Sequence, residues 1–234
     1  MPGLTILRAA LDELEAALRR RGIDLDAPRD SADPYTLQAQ INLAVAYADA
    51  HIPARYKAAI ADDPTVVTWT EQVIARAVAD SAGHAQRHVR GGPSLLVLGP
   101  TGVGKTHQAY GALRLIAQAG IRAAWVSTTA ADFYARLRPR HGVDSETEFR
   151  AVANAPVLLF DDLGAAKDSE WVEEVNYRLI NHRYEQDLPT LLTSNIGAKE
   201  LSSVLGERVA SRLRELAKQV PLKGDDRRRA LRPA

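Results

Sequence analysis

The sequence predicts an α/β fold in which helices sandwich a parallel sheet of about five strands, with a small helical region ahead of the sheet. Two observations support this prediction. Short apolar runs alternate with helical stretches along the second half of the chain, the pattern of a parallel sheet covered on both faces. A glycine-rich stretch, "GPTGVGKT" at 99–106, separates the first apolar run from the helix that follows it.

The composition limits the classes of protein that the chain can represent. Its 234 residues suit one medium domain with a small appendage. The formal net charge is +1, so any binding of nucleic acid must use local basic patches. The absence of cysteine excludes disulfides and cysteine-ligated zinc sites. No apolar run approaches the roughly 18 residues of a membrane-spanning helix, and the N-terminus lacks the order of regions of a signal peptide, so we expect a soluble, cytoplasmic protein.

The first ninety residues predict helices and a linker. Leucines near the N-terminus alternate spacings of three and four, as in a helical seam of about two heptads, at Leu4, Leu7, Leu11, Leu14 and Leu18. Residues 24–34 are rich in Asp and Pro and predict a linker. Helices are predicted at 35–49 and from about Val67 to Arg90. The leucine seam either docks on the following domain, self-associates or binds a helix of a partner.

The rest of the chain alternates between predicted strands and helices. Apolar runs predict strands at 94–98, 121–127, 157–160, 190–193 and 220–222. Helices are predicted at 107–117, 130–137, 169–185, 198–205 and 207–216. Either Asp168 or Ser169 is expected to cap the helix at 169–185, because both side chains accept hydrogen bonds from the first turn of a helix.

The glycine-rich stretch fills every fixed position of the phosphate-binding pattern G-x-x-x-x-G-K-[ST] between a strand and a helix. Its glycines allow the backbone N–H groups to turn inward, where they form an anion site with the helix N-terminus. Lys105 can reach the outer phosphates, and the Thr106 hydroxyl can ligate Mg²⁺. The predicted nucleotide-binding residues are Gly99, Pro100, Thr101, Gly102, Val103, Gly104, Lys105, Thr106 and His107.

Two further polar groups follow predicted strands. Asp161 and Asp162 come directly after the apolar run "VLLF", which is the Walker B arrangement. Asp161 would hold Mg²⁺ directly or through water, and Asp162 would orient or deprotonate the attacking water. Asn195 follows the strand "TLLT" and could hold the water between the γ-phosphate and Asp162. The alternative for each is a residue that only starts a turn or caps a helix.

Four motifs in order, "GPTGVGKTH", "VLLFDDLG", "PTLLTSN" and "LGERVASRLRE", resemble the AAA+ ATPases of the bacterial replicative helicase loaders and the related IstB-type transposition helpers. The resemblance covers roughly residues 90–230. It implies a AAA+ P-loop core over residues 50–234, behind a helical partner-binding region and linker over 1–49. It also implies ATP and Mg²⁺ as cofactors, Asn195 as sensor 1 and a homo-oligomer in the ATP-bound state.

The same resemblance assigns an arginine finger to the segment 206–212. Arg212 matches the finger better than Arg208, and a spacing of four residues puts both on one helix face. The chain departs from the family in two ways. Asp162 stands where many members have Glu, which implies slow hydrolysis, and no helical lid domain is evident after the last strand. Arg227 in the tail could approach phosphate, or it could be simply solvated.

The predicted function is ATP hydrolysis, slow and dependent on assembly, coupled to loading of a replicative helicase onto single-stranded DNA in DNA replication. The first alternative is a transposition helper ATPase that acts with a transposase on duplex DNA. The second alternative is a nucleotide-gated binding module with negligible turnover, and Asp162 is its best support. No membrane partner is expected.

A basic stretch predicts where DNA would bind. Arg136, Arg138 and Arg140 follow Phe133 and Tyr134 in the sequence. The arginines could pair with phosphates of single-stranded DNA while the aromatic rings stack on bases. The alternative is that both rings face the core and that the basic end is solvated.

Overall fold

The computed structural model describes residue 20 and residues 34–79, 87–139, 142, 144–165, 169–224 and 226. The leucine seam at 4–18, most of the predicted linker, Arg140, Asp168 and Arg227 lie outside the described residues. Within the described ranges, no helix combines the length and the apolar character needed to cross a membrane.

The described ranges contain helices and strands in alternation. The helices are α1 (Pro34–His51), α2 (Pro64–Ala75), α3 (Lys105–Gln118), α4 (Ala130–Leu137), α5 (Ser145–Ala153), α6 (Glu170–Glu185), α7 (Leu201–Leu205) and α8 (Glu207–Leu216), with a 3-10 turn at Ala54–Tyr56. The strands are β1 (Val78–Ala79), β2 (Arg87–His88), β3 (Ser94–Leu98), β4 (Val126–Thr129), β5 (Leu158–Leu163), β6 (Thr190–Ser194) and β7 (Ala217–Pro221).

The main sheet has five parallel strands in the order β4-β5-β6-β3-β7. This confirms the predicted α/β class with a parallel sheet of about five strands. The order also determines the site, because β6 lies between β3 and β5. The residues that follow β3, β5 and β6 therefore meet at one edge of the sheet, where ligands bind in open parallel sheets.

Side chains of the central strands alternate between two apolar cores, one on each face of the sheet. Leu95 and Val97 of β3 pack with α1, α2 and α3, whereas Leu96 and Leu98 pack with α4, α5, α6 and α8. The helix predicted at 35–49 is α1, and its residues Ala44 and Ala48 belong to the first core. The predicted domain boundary at residue 49 stays a prediction.

The predicted helix from Val67 to Arg90 is wrong, because α2 ends at Ala75 and a short hairpin follows. Asp63 caps the start of α2, where its carboxylate accepts from two backbone N–H groups of the first turn. At the other end, the Arg87 guanidinium donates to the carbonyl oxygens of Ile74 at 2.7 Å and Ala77 at 3.3 Å. These bonds satisfy carbonyls at the end of the helix and hold β2 against it.

The predicted strand at 121–127 is largely wrong, because only Val126–Thr129 forms β4. Its neighbour β5 begins at Leu158, which pairs with Val126, and the preceding residues form only one isolated bridge, between Arg122 and His88 of β2. Ile121, Ala123 and Trp125 instead turn their side chains into the core beneath α1. The apolar character that predicted a strand therefore reflects burial.

The sequence did not predict α5, and the structure gives its local cause. Asp144 caps the helix, and Glu146 and Glu148 lie in its first turn, where they complement the helix dipole. The helix at 169–185 begins as expected with Ser169 as its cap, whose hydroxyl accepts from the Val172 N–H.

A buried arginine ties α5 and α6 to the sheet. Arg183 of α6 is 1% exposed, and its guanidinium donates to the carbonyls of Ala153, Ala155 and Pro189, each at 2.9 Å. It also donates to the Thr190 hydroxyl at 2.7 Å. These bonds hold the start of β6 against α5 and α6.

Candidate functional site

The glycine-rich loop wraps the N-terminus of α3 as the sequence predicts. Gly99, Gly102 and Gly104 all have positive φ, and Gly104 immediately precedes the first residue of α3. A side chain at Gly99 would collide with the backbone, because its Cβ would lie 2.5 Å from the carbonyl oxygen of Leu222. The loop therefore depends on glycine where it must turn and where the segment after β7 crosses it.

Lys105 is buried at the centre of the loop, with 5% of its surface exposed. Its ammonium group donates to the carbonyls of Gly99 at 2.8 Å and Pro100 at 3.0 Å, and to Asn195 Oδ1 at 2.6 Å. The same side chain thus contacts the loop after β3 and the residue after β6. A cation at this position can bind the outer phosphates of a nucleotide.

The side chains of Thr106 and Asp161 are in direct contact, although only Thr106 is among the residues that line the cavity. The Thr106 hydroxyl lies 3.1 Å from both carboxylate oxygens of Asp161. Burial is the largest effect and raises the pKa of Asp161, and the hydrogen bond from Thr193 opposes it. The adjacent charge of Asp162 raises the pKa further, whereas Thr106 and Lys105 lower it by smaller amounts. A buried carboxylate beside a hydroxyl, with a raised pKa, is an oxygen donor set that a bound Mg²⁺ would stabilise. The residues present therefore fit the predicted ion.

Asp162 has an unusual backbone conformation, with a φ of 56°. It lies in β5 where the pairing with β6 shifts register. Its carboxylate lines the same cavity as Lys105, and the Asn195 side-chain amide lies 3.4 Å from its Oδ1. Asn195 therefore lies between Lys105 and Asp162.

These groups line a cavity of about 400 Å³. Its lining residues are Arg55, Tyr56, Thr101, Gly102, Gly104, Lys105, Thr106, His107, Asp162 and Asn195. The structure thus brings together most of the predicted nucleotide-binding residues with two of the predicted catalytic ones. Gly99, Pro100 and Val103 belong to the loop but are not among the cavity's lining residues.

The chain before the sheet forms another wall of the cavity, at Arg55 and Tyr56, which no sequence motif indicates. The Tyr56 ring stacks on Tyr110 of α3 at a centroid distance of 4.9 Å. Nearby, the backbone N–H of Ile60 donates to His107 Nε2 at 3.2 Å. The signal in the sequence was weak, because a tyrosine and a basic residue after Pro53 resemble an ordinary loop.

Arg208 and Arg212 lie on α8, and neither lines the P-loop cavity. Arg208 stacks over the ring of Tyr177 at 4.3 Å, and Arg212 lies 5.0 Å from the ring centroid of Tyr184. Arg212 also forms a salt bridge of 2.8 Å with Glu215. The assignment of an arginine finger to this helix stays a prediction.

The predicted stacking of bases on Phe133 and Tyr134 is wrong, because both rings are buried. Phe133 packs edge-on against Phe160 of β5, and the Tyr134 hydroxyl donates to Asn176 Oδ1 at 2.7 Å. Burial raises the pKa of Tyr134 to about 12. Arg136 and Arg138 are exposed beside them, so of this stretch only the basic groups remain candidates for contact with DNA.

The family model described as "IstB-like ATP binding protein" matches residues 65–232. The chain is 33% identical over 96 residues to the replicative helicase loader DnaI of Bacillus subtilis (strain 168), which is 36% of this chain and 31% of that protein. It is 28% identical over 116 residues to the insertion sequence IS21 putative ATP-binding protein of Pseudomonas aeruginosa, which is 50% of this chain and 43% of that protein. These alignments span less than half the length of either curated relative.

A solved structure extends this similarity to the fold. The crystal structure of the DnaC helicase loader superposes with a TM-score of 0.56 at 26% sequence identity. The match covers 73% of this chain and 100% of that chain. The fold around the cavity is therefore the AAA+ fold that the sequence motifs predict.

Proposed function

The chain belongs to the IstB-like ATP-binding protein family, and we propose that it is a AAA+ ATPase that loads a replicative helicase onto single-stranded DNA. The observation that supports hydrolysis is the meeting of three groups at one sheet edge. These are the ammonium of Lys105, the hydroxyl–carboxylate pair of Thr106 and Asp161, and the carboxylate of Asp162 beside Asn195.

Each group has a distinct part in the proposed reaction. The P-loop amides and Lys105 would bind the phosphates, and Thr106 with Asp161 would hold Mg²⁺. When bound, Mg²⁺ neutralises charge on the β- and γ-phosphate oxygens. Asp162 orients the attacking water and accepts its proton, and Asn195 holds that water against the γ-phosphate. Because Lys105 now contacts Asn195, nucleotide binding would exchange that contact for one to phosphate.

Assembly completes the proposed site. Arg212, with Arg208 as the second candidate, would extend from α8 of one protomer toward the nucleotide of its neighbour. An arginine finger supplied in trans stabilises charge that develops in the transition state. The proposed ATPase is therefore slow in the isolated protomer and faster in a homo-oligomer.

Loading is proposed because the matched relatives include helicase loaders, at 33% identity over 96 residues for DnaI. Arg136 and Arg138 supply exposed basic groups for the phosphates of single-stranded DNA, and Arg140, outside the described residues, is the third predicted contact. The second candidate function, a transposition helper acting with a transposase on duplex DNA, is favoured by the family model itself and by the IS21 relative.

Purified components distinguish these two functions. The chain, with ATP and Mg²⁺, would be mixed with the replicative helicase of its host or with a transposase encoded beside its gene. Complex formation would be measured by size-exclusion chromatography with light scattering. A stable complex with the helicase, and ATPase stimulation by single-stranded DNA, supports loading. A complex with the transposase and stimulation by duplex DNA supports the second function. Binding of ATP without turnover under every condition would favour a nucleotide-gated binding module.

A further inference from the structure

The carboxylates of Asp161 and Asp162 lie on a β-bulge. In the parallel pairing of β5 with β6, Phe160 is opposite Leu192 and Leu163 is opposite Ser194. Two residues of β5 thus face one residue of β6, Thr193. A bulge interrupts the regular backbone ladder and re-aims the side chains at that point. Consecutive side chains of a regular strand point to opposite faces of the sheet. The bulge instead allows two consecutive residues, Asp161 and Asp162, both to lie near the P-loop.

A single hydroxyl bridges the interrupted ladder. Thr193 is fully buried, and its Oγ1 donates to Asp161 Oδ1 at 2.5 Å. The same oxygen accepts the backbone N–H of Asp162 at 3.0 Å. This N–H belongs to the residue with the left-handed backbone, which needs support from its surroundings to persist. The hydroxyl thus holds the side chain of one aspartate and the backbone of the next.

We propose that Thr193 is a positioning residue, whose hydroxyl fixes the bulge and thereby sets both Asp161 toward Thr106 and Asp162 toward Asn195. The inference rests on the proposed function, in which Asp161 binds Mg²⁺ and Asp162 orients water. Thr193 itself is not among the residues that line the cavity. Its role needs a group that donates and accepts at once, and among side chains of this size only a hydroxyl does so.

This requirement selects the variants. Thr193→Val keeps the shape of the side chain but removes both hydrogen bonds, which leaves the half-buried Asp162 N–H and the Asp161 oxygen without this partner. Thr193→Ser keeps the hydroxyl. Thr190→Val is the matched control, because Thr190 is also buried on β6 and its hydroxyl also accepts from a buried donor, Arg183 Nε. That control removes a buried hydroxyl far from the cavity.

The first measurement needs neither nucleotide nor metal. Hydrogen exchange of the Asp162 amide is followed by NMR in the free protein, with melting temperature as a measure of folding. In Thr193→Val we expect this amide to exchange about tenfold or more faster than in the parent, from the loss of a buried hydrogen bond. In Thr193→Ser and Thr190→Val, we expect Asp162 exchange near the parental rate after correction for global stability.

The second measurement separates nucleotide binding from Mg²⁺ binding. Affinity for a fluorescent ATP analogue is measured in EDTA and across a Mg²⁺ titration. In EDTA, Thr193→Val should bind as the parent does, because the P-loop and Lys105 are unchanged. The Mg²⁺ concentration that gives half of the affinity gain should rise about 10–100-fold, as when a ligand of a metal loses its orienting partner. Thr193→Ser should restore most of the parental value.

The outcomes separate failure of the inference from failure of the proposed function. If Mg²⁺ does not affect nucleotide binding by the parent, the proposed function fails and the inference falls with it. If the parent responds but Thr193→Val matches it in Asp162 exchange and Mg²⁺ dependence, the inference alone is overturned. It is also overturned if Thr193→Ser is as impaired as Thr193→Val, or if Thr190→Val shows the same loss of Mg²⁺ dependence.

Discussion

The ammonium of Lys105 donates to Asn195 Oδ1 at 2.6 Å, which joins the P-loop to the residue after β6. Removal of this charge should weaken nucleotide binding while the fold persists. We expect Lys105→Ala to lower ATP affinity at least about tenfold, because a hydrogen bond to a charged group contributes about 1.5–3 kcal/mol. Isothermal titration measures the affinity, with circular dichroism as the test of folding. The control is Lys218→Ala, because Lys218 is an exposed lysine on β7 that does not line the cavity. Equal affinity in both variants would contradict the assignment of the P-loop.

Asp162→Asn should separate binding from hydrolysis. Asparagine tolerates the left-handed backbone at φ 56°, so the bulge is expected to survive the substitution. The loss of a base that accepts a proton from water should lower ATP turnover by about 10²–10⁴-fold. Nucleotide affinity should stay near that of the parent. Single-turnover assays and fluorescence titration measure the two quantities. Turnover at the parental rate would show that Asp162 does not activate the water.

Arg212→Ala should bind ATP but fail to hydrolyse it, and mixing should restore activity. A finger in trans contributes about 10³–10⁵ in rate. Arg212→Ala has an intact site and no finger, whereas Lys105→Ala has a finger and no working site. Together they should form interfaces that hydrolyse ATP, and turnover per protomer should rise with protein concentration.

The arginine on the same face provides the comparison. If Arg208→Ala is rescued by Lys105→Ala and Arg212→Ala is not, the finger is Arg208. If neither mixture gains activity and specific activity is independent of concentration, partner and DNA, the proposed assembly fails while the P-loop assignment stands.

Gly111→Ala should disturb the wall of the cavity from inside α3. A Cβ at Gly111 would lie 2.2 Å from the backbone nitrogen of Ala61, so the segment that contacts His107 must move away. We expect a lower melting temperature and weaker binding of ATP. Gly197→Ala is the control, since its Cβ would meet only the flexible end of Glu200 at 3.3 Å. An ATP affinity unchanged by Gly111→Ala would show that the wall does not contribute to binding.

Removal of residues 1–22 should abolish binding of a protein partner and leave ATP binding intact. The leucine spacing at 4–18 motivates this prediction, because such a seam suits a helix that packs on another helix. ATP affinity and helicase binding are measured on the truncated and full chains. A truncated chain that does not fold would indicate that the seam belongs to the core. A folded chain that still binds the helicase would assign partner binding elsewhere.

The sequence by itself determined the parts of the site that depend on local chemistry. The P-loop pattern, the apolar strand ending in Asp161-Asp162 and the polar residue after "TLLT" each carry their own signal, and their elements appear in the structure near the predicted bounds. These signals are local because a strand needs an apolar run and a phosphate loop needs glycine at fixed spacings.

The predictions from sequence were wrong where a helix, strand or side chain depends on its neighbours in the fold. Residues 121–125 look like a strand, but in the described structure only Arg122 among them pairs with a strand, in an isolated bridge to His88 of β2. The helix predicted to Arg90 ends at Ala75, where a guanidinium from the following hairpin bonds its last carbonyls. Phe133 and Tyr134 could have faced solvent by spacing alone, and packing against β5 and α6 buries them.

The tertiary structure alone decided how the functional residues meet. Nothing in the sequence specified that β6 lies between β3 and β5, which brings Asn195 between Lys105 and Asp162. The bulge that turns both aspartates toward the cavity depends on the hydroxyl of Thr193, on another strand thirty-two residues from Asp161. Such contacts depend on which strands pair and in which register, and register is fixed by burial of whole faces rather than by any single motif.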